Sequence, residues 1–253
     1  MALVTAIING KECVGEKGEF LLDIAERNGI VIPRLCHHES LRGLASCRLC
    51  LAEVAENGAK RKRVVTSCVF PVMGDITAET NTEDIQSMRR ILIGFLQAES
   101  PENEQISDLA AKYGASDISR YQRDVGNSCV VCGLCVKACI EVGPGCIGTI
   151  KRGVYKKIAP PFEEPPDDCV GCGACAEVCP TGHIHMEDYG GVRIIWNKEF
   201  EMLRCSVCDV CFIPKEQYEY ICQKTGTTGP PVCGNCNRAA VAEKWKGNVK
   251  YIF

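Results

Sequence analysis

Twenty cysteines among 253 residues are the side chains that could do chemistry, and their spacing sorts them into sets. Cys129, Cys132, Cys135 and Cys139 follow C-x2-C-x2-C-x3-C. Cys169, Cys172, Cys175 and Cys179 repeat that pattern forty residues later, with Gly133 and Gly173 at matching places and Pro180 closing the second copy. Cys36, Cys47, Cys50 and Cys68 are spaced C-x10-C-x2-C-x17-C, and Cys205-x2-Cys208 with Cys233-x2-Cys236 form two knuckles separated by 24 residues. Thiols this dense either pair as disulfides or bind metal. The opening MALVTAIINGKE has neither a basic start nor an apolar core ending in small residues, so no export signal is expected. That predicts a reducing, cytoplasmic setting, in which these cysteines are metal ligands.

The duplicated spacing is that of two-cluster bacterial ferredoxins. Three cysteines at intervals of three on a tight loop can reach three irons of one cube. The fourth, past the start of a short helix, points the other way. The expectation is therefore a crossed pair of [4Fe–4S] clusters lying near each other. Cys129, Cys132, Cys135 and Cys179 hold one, and Cys139, Cys169, Cys172 and Cys175 hold the second. Gly133 and Gly173 let the backbone approach and donate N–H groups to the sulfurs. For Cys36, Cys47, Cys50 and Cys68, a cysteine loop with a distant fourth ligand is the general scheme of [2Fe–2S], with zinc as the alternative. The paired knuckles Cys205, Cys208, Cys233 and Cys236 have a zinc-ribbon arrangement and predict a structural zinc site. Cys211 extends the first knuckle to C-x2-C-x2-C, so with Cys222 or a later cysteine a third [4Fe–4S] cluster stays open as the alternative.

Other candidates get plainer readings. His37 and His38 adjoin Cys36, but four cysteines already complete that set, so they are expected as loop residues bonded to nearby backbone. Cys13 is expected in the core, Cys146 as a small apolar residue under the cluster loop, and His183 and His185 on alternate positions of a strand. Gly143 to Gly148 spells G-x-G-x-x-G, yet it lacks a preceding parallel strand and a following long helix, so it is not read as a nucleotide site. A net charge of −3, with Lys60–Arg63 the only basic run, argues against nucleic acid. No apolar run approaches the roughly 18–20 residues that span a bilayer.

The elements that must hold these sulfurs point to an α+β chain. Val4 to Ile8 reads as a strand turned at Asn9-Gly10 into Glu12–Val14. Glu19 to Asn28 reads as a helix closed by Gly29, and Leu49–Val54 with Val64–Val69 as a hairpin around the polar tip Glu56–Lys62. A helix starting at Asn81 or Thr82 carries Ile85, Met88, Leu92, Phe95 and Leu96 on one face, and a second runs from Ile106 to Tyr113 before Gly114. These helices are expected to pack on their own domain, and the Pro-rich APPFEEPPDD to be extended. The predicted division is 1–80 for the [2Fe–2S] domain, 81–124 for a helical linker, 125–200 for the 2[4Fe–4S] domain, and 201–253 for a small Cys-rich, ribbon-like tail.

IVIPRLCHHESL, SCRLCLAEV and VVTSC resemble the N-terminal ferredoxin-like domain of the complex I iron–sulfur subunit and of the related diaphorase subunit of bidirectional hydrogenases. DVGNSCVVCGLCVKACIEV, IGTIKRG, KIAPPFEEP and DCVGCGACAEVCPTG extend that resemblance over residues 1–195, and the tail is similar to ribbon-like tails of some hydrogenase subunits. The resemblance implies a β-grasp fold for the N-terminal domain. It also implies an electron relay between a flavin-containing NAD(P)H-binding subunit and hydrogenase subunits, in a complex that could bifurcate electrons and use ferredoxin. The alternatives are the same relay in an NAD-linked formate or other dehydrogenase, and a free electron carrier. One departure stands out. That family has a further [4Fe–4S] cluster on one His and three Cys after the linker helix. The matching stretch here, GFLQAESPENEQISDLAAKYG, has neither residue type. No nucleophile–base set, phosphate loop, flavin motif or nickel motif is present, so the chain alone is expected to move electrons without transforming an organic substrate.

Overall fold

Alternation of apolar and polar residues makes Leu3–Ile8 (β1) and Lys11–Glu16 (β2) an antiparallel hairpin, with Val4, Ala6, Ile8 and Cys13 turned inward. Asn9 and Gly10, at φ 51° and 79°, supply the left-handed turn that matches strand twist. The computed structural model describes residues 2–246 apart from 42, 57, 58, 60 and 123–125. The tip of the next hairpin and its Lys60, and the segment around Asp124, fall outside the described residues.

Helix α1 (Leu21–Arg27) buries Leu21, Leu22, Ile24 and Ala25 on the sheet. It is followed by β3 (Leu51–Glu56) and β4 (Arg63–Thr66), which pair antiparallel as the sequence predicted. A fifth strand, β5 (Ile76–Glu79), was not expected. It takes the centre of the sheet, whose order is β2-β1-β5-β3-β4, and runs parallel to β1. Its end is tied to the first turn, where the Asn9 Oδ1 accepts from the Thr80 backbone N–H at 2.8 Å.

Helix α2 (Glu83–Glu99) starts at Thr82, whose hydroxyl accepts from the Ile85 N–H. Its inward face differs from the expected one: Ile85, Arg89, Ile93, Gly94 and Ala98 are buried, while Met88 and Phe95 are 40% and 49% exposed. Arg89 causes the rotation. Its Nε donates to the Leu49 carbonyl at 2.9 Å and its Nη2 to the Leu51 carbonyl at 2.7 Å, drawing that side of the helix onto β3. Helix α3 (Glu104–Tyr113) begins at Asn103 and stops at Gly114, whose φ of 62° suits glycine. Then come α4 (Leu134–Val142), the short strands β6 (Gly148–Ile150) and β7 (Lys157–Ala159), and α5 (Ala174–Glu177).

Strands β8 (Met186–Tyr189), β9 (Val192–Ile195), β10 (Lys198–Arg204) and β11 (Cys211–Pro214) form an antiparallel sheet, followed by α6 (Lys215–Thr225) and α7 (Gly234–Lys246). The chain divides into two compact units. One comprises 1–138, 149–158 and 178–183; the other comprises 139–148, 159–177 and 184–253. This division places Cys179 in the unit of Cys129, Cys132 and Cys135, and Cys139 in the unit of Cys169, Cys172 and Cys175. Among the described residues no helix is long and apolar enough to cross a membrane.

Candidate metal centres

Cys36, Cys47, Cys50 and Cys68 are all buried, and they meet in pairs. The Cys36 and Cys47 sulfurs are 3.3 Å apart, and Cys50 and Cys68 are hydrogen-bonded to each other. Two pairs of thiols suit two irons that each take two protein sulfurs. The hydrogen bond from Cys36 lowers Cys47 to about 6, and that from Cys68 lowers Cys50 to about 7. The loop between them is tightly wound: Ala45 and Arg48 have φ of 53° and 60°, and a Cβ at Gly43 would lie 2.5 Å from the Cys68 carbonyl oxygen. His37 faces Asp23 at 3.8 Å, and its Nδ1 is buried without a hydrogen-bond partner, unlike the backbone contact expected. His38 Nδ1 accepts from the Ser40 N–H. Cys13 lies in the core as expected.

Cys129, Cys132, Cys135 and Cys179 belong to the same unit as this cradle. Val131 (φ 50°) and Gly133 (φ 84°) coil the loop, and the Val131 N–H donates to the Cys129 sulfur at 3.3 Å. Burial pushes Cys132 up to about 11. The joint between α2 and α3 fastens the loop from both sides. Ser100 donates to the Asn127 carbonyl, and Asn127 Nδ2 donates to the carbonyls of Glu99 and Cys129. Asn103 caps α3 with its Oδ1 while its Nδ2 donates to the Thr181 carbonyl at 2.8 Å, two residues past Cys179. The helices expected as a linker therefore pack on their own unit, as anticipated, and they also brace the cysteine loop. The two cradles abut: the Ser46 hydroxyl donates to the Val131 carbonyl at 3.4 Å, and Cys36, Cys47, Leu49, Val130, Cys132 and Leu134 share one buried cluster.

Cys139, Cys169, Cys172 and Cys175 line a single cavity in the other unit, together with Cys146 and Trp196. Their loop lies flat on the sheet because a Cβ at Gly171 would meet the Phe200 ring at 2.8 Å and one at Gly173 the Met186 sulfur at 2.6 Å. Lys198 Nζ donates to the carbonyls of Pro166, Asp167 and Cys169, and Arg193 reaches the Gly171 carbonyl at 3.0 Å while pairing with Asp188. Cys146 corrects its sequence reading. It is not apolar filling, since its sulfur lies 3.6 Å from that of Cys139 and also bonds to Cys169. The hydrogen bond from Cys146 holds Cys139 down to about 6 and Cys169 to about 7. Trp196 Nε1–H donates to the Cys175 sulfur at 3.4 Å. Neither Cys146 nor Trp196 was singled out as a site residue. The signal for Trp196 was the Trp-Asn turn between two short strands, with φ of 55° and 57°. His183 and His185 precede β8 and do not sit on a strand; His183 Nδ1 is hydrogen-bonded to the Ser128 hydroxyl at 2.8 Å.

Cys205, Cys208, Cys233 and Cys236 differ in kind. Their four sulfurs all lie within 4.8 Å of one another, and Cys208 and Cys233 are 3.7 Å apart. Metal–sulfur bonds of about 2.3 Å in a tetrahedron put neighbouring thiolates about 3.8 Å apart. Sulfurs on separate irons of a cube stand much farther from one another. The set therefore fits one ion. Cys205–Val210 closes as a turn, with the Cys205 N–H donating to the Val210 carbonyl and the Cys233 N–H to the Cys205 sulfur. Cys211, on β11, and Cys222, in α6, are outside the group.

Residues 2–83 match the 2Fe-2S iron-sulfur cluster binding domain family, and residues 164–182 match the 4Fe-4S binding domain family. The chain is 29% identical over 221 residues to an NADP-reducing hydrogenase subunit, HndD, of Solidesulfovibrio fructosivorans, covering 75% of this chain and 37% of that protein. It is 27% identical over 218 residues to the NADH-ubiquinone oxidoreductase 75 kDa subunit of Reclinomonas americana, covering 77% and 31%. The chain is thus similar to subunits of NADP-reducing hydrogenase and of NADH-ubiquinone oxidoreductase. It spans well under half the length of these curated relatives. A solved NAD+-reducing [NiFe]-hydrogenase in the H2-reduced state contains a chain with the same fold, at a TM-score of 0.62 and 23% identity, covering 71% of this chain and 85% of that one. The resemblance read from the cysteine motifs thus holds, and so does the α+β class, with a [2Fe–2S] ferredoxin-like domain first and a 4Fe-4S motif later.

Proposed function

We propose that the chain is the electron relay of a multisubunit NAD(P)-linked oxidoreductase, with hydrogenase as the terminal partner. Cys36 and Cys47, with Cys50 and Cys68, hold a [2Fe–2S] cluster. Cys129, Cys132, Cys135 and Cys179 hold one [4Fe–4S], and Cys139, Cys169, Cys172 and Cys175 hold the other. Cys205, Cys208, Cys233 and Cys236 hold structural zinc, and the third-cubane alternative is set aside because those sulfurs crowd around one point. The clusters supply one-electron chemistry, and the residues around them supply spacing, burial and hydrogen bonds to sulfur.

The observation that carries the reading is the direct abutment of the [2Fe–2S] cradle on the first cubane loop through Ser46 and Val131. An electron crossing from Cys47 to Cys132 passes within one buried cluster. The additional cluster seen in the resembling family, for which this chain lacks ligands, is not needed on that path. A flavin-bearing NAD(P)H subunit at the N-terminal end, hydrogenase subunits beyond the cubes, ferredoxin as a further partner and electron bifurcation complete the proposal, in a cytoplasmic setting.

Anaerobic native purification with metal and sulfide analysis, plus EPR of the reduced protein, tests this. The expected result is about ten iron per chain, the sum of one binuclear and two tetranuclear clusters, with about one zinc and co-purifying flavoprotein and hydrogenase subunits. About fourteen iron without zinc would restore a third cubane in the tail. A brown monomer without partners would make it a free carrier.

A further inference from the structure

The second cubane site contains five cysteines, and a cube has four irons to ligate. Cys146 is the surplus thiol. It lies 3.6 Å from the Cys139 sulfur and within hydrogen-bonding reach of Cys169. Sulfurs bound to different irons of one cube cannot be that close, so Cys146 cannot join Cys139 and Cys169 as a further ligand. What remains for a thiol wedged between two ligand sulfurs is to donate its S–H. On the far side of the same cavity the Trp196 indole N–H does the same to Cys175 at 3.4 Å.

The geometry points to Cys146 and Trp196 as positioning residues that raise the reduction potential of the second cubane by donating hydrogen bonds to its ligand sulfurs. The sign follows from charge. Reduction adds an electron to an already anionic cluster, and a donor aimed at sulfur stabilises that added charge more than the oxidised state. Placement adds to the argument. The cavity is also lined by Ile195 and Val170, and in such an apolar wall each polar hydrogen acts with little solvent screening. Trp196 is held there by its left-handed turn between β9 and β10 (φ 55°), and Lys198, two residues on, anchors the same loop at the Cys169 carbonyl. The inference rests on the ligand assignment proposed above.

The test uses the full chain purified anaerobically, as wild type and as Cys146→Ala, Cys146→Ser and Trp196→Phe. Each is measured for iron and sulfide and titrated potentiometrically with EPR detection. Phe keeps an aromatic ring and removes the N–H; Ser keeps a donor. The expected result is an unchanged iron count, with the midpoint of the same single [4Fe–4S] signal moved downward in both Cys146→Ala and Trp196→Phe. Cys146→Ser should shift it less than Cys146→Ala, and the other [4Fe–4S] and the [2Fe–2S] signals should stay in place. Loss of about four iron in Cys146→Ala would make Cys146 a ligand and overturn the inference. Full iron with unmoved potentials would overturn it alone. Wild-type protein without a second cubane would overturn it together with the relay reading.

Discussion

At the scale of single residues, the cradles depend on atoms that are absent as much as on the sulfurs present. Gly43 is the sharpest case, because any Cβ there would press on the Cys68 carbonyl from 2.5 Å. That neighbour is backbone and cannot swing aside, so Cys68 itself would have to move. Gly43→Ala is therefore expected to lose the [2Fe–2S] signal and about two iron per chain, while both cubane signals persist. Iron analysis and EPR check this, and a normal [2Fe–2S] spectrum would contradict it. In the tail, Cys233→Ser should release the zinc, whereas Cys211→Ser and Cys222→Ser should leave metal content as in wild type, since only the first removes a sulfur from the four-sulfur group.

At the scale of elements, α2 is fixed on β3 by a buried charge rather than by its apolar stripe. Arg89 satisfies two carbonyls on the segment that also carries Cys50. Arg89→Met would orphan both, at a cost of about 2–5 kcal/mol, seen as a lower urea midpoint in circular dichroism. A change under about 1 kcal/mol would show that water replaces the guanidinium. This helix also shows where the sequence was legible. Its start at Thr82, the Asn9-Gly10 turn and the stop at Gly114 are local events, written in adjacent residues. Its inward face was not, because periodicity counts an arginine as exposed and cannot foresee carbonyls forty residues upstream. Strand β5 was missed for a similar reason. Ile-Thr-Ala-Glu is too short to announce itself, and its conformation comes from β1 and β3 on either side. The grouping of the cysteines was easier to read than the fold around them: spacing alone sorted those that gather in the N-terminal cradle, in the cavity with Trp196 and in the tail. Cys146 escaped because its partners, Cys139 and Cys169, are set by tertiary placement.

At the scale of the whole chain, the two ferredoxin motifs exchange their last cysteines between two compact units. Cys179→Ser is expected to disturb the cubane of Cys129, Cys132 and Cys135, and Cys139→Ser that of Cys169, Cys172 and Cys175. EPR on the two variants should therefore lose opposite signals, and loss of the same signal in both would overturn the crossed assignment.

The crossed ligation proposed above implies an order of assembly. Cys129 leaves the ribosome fifty residues before Cys179, yet its site stays open until that last cysteine has emerged. The motif translated first is thus completed last, after the second site has received Cys175. A nascent chain interrupted anywhere between residues 140 and 168 holds neither full set of cubane ligands. On that assignment, iron delivered before Cys175 has emerged would find no finished tetranuclear site to occupy.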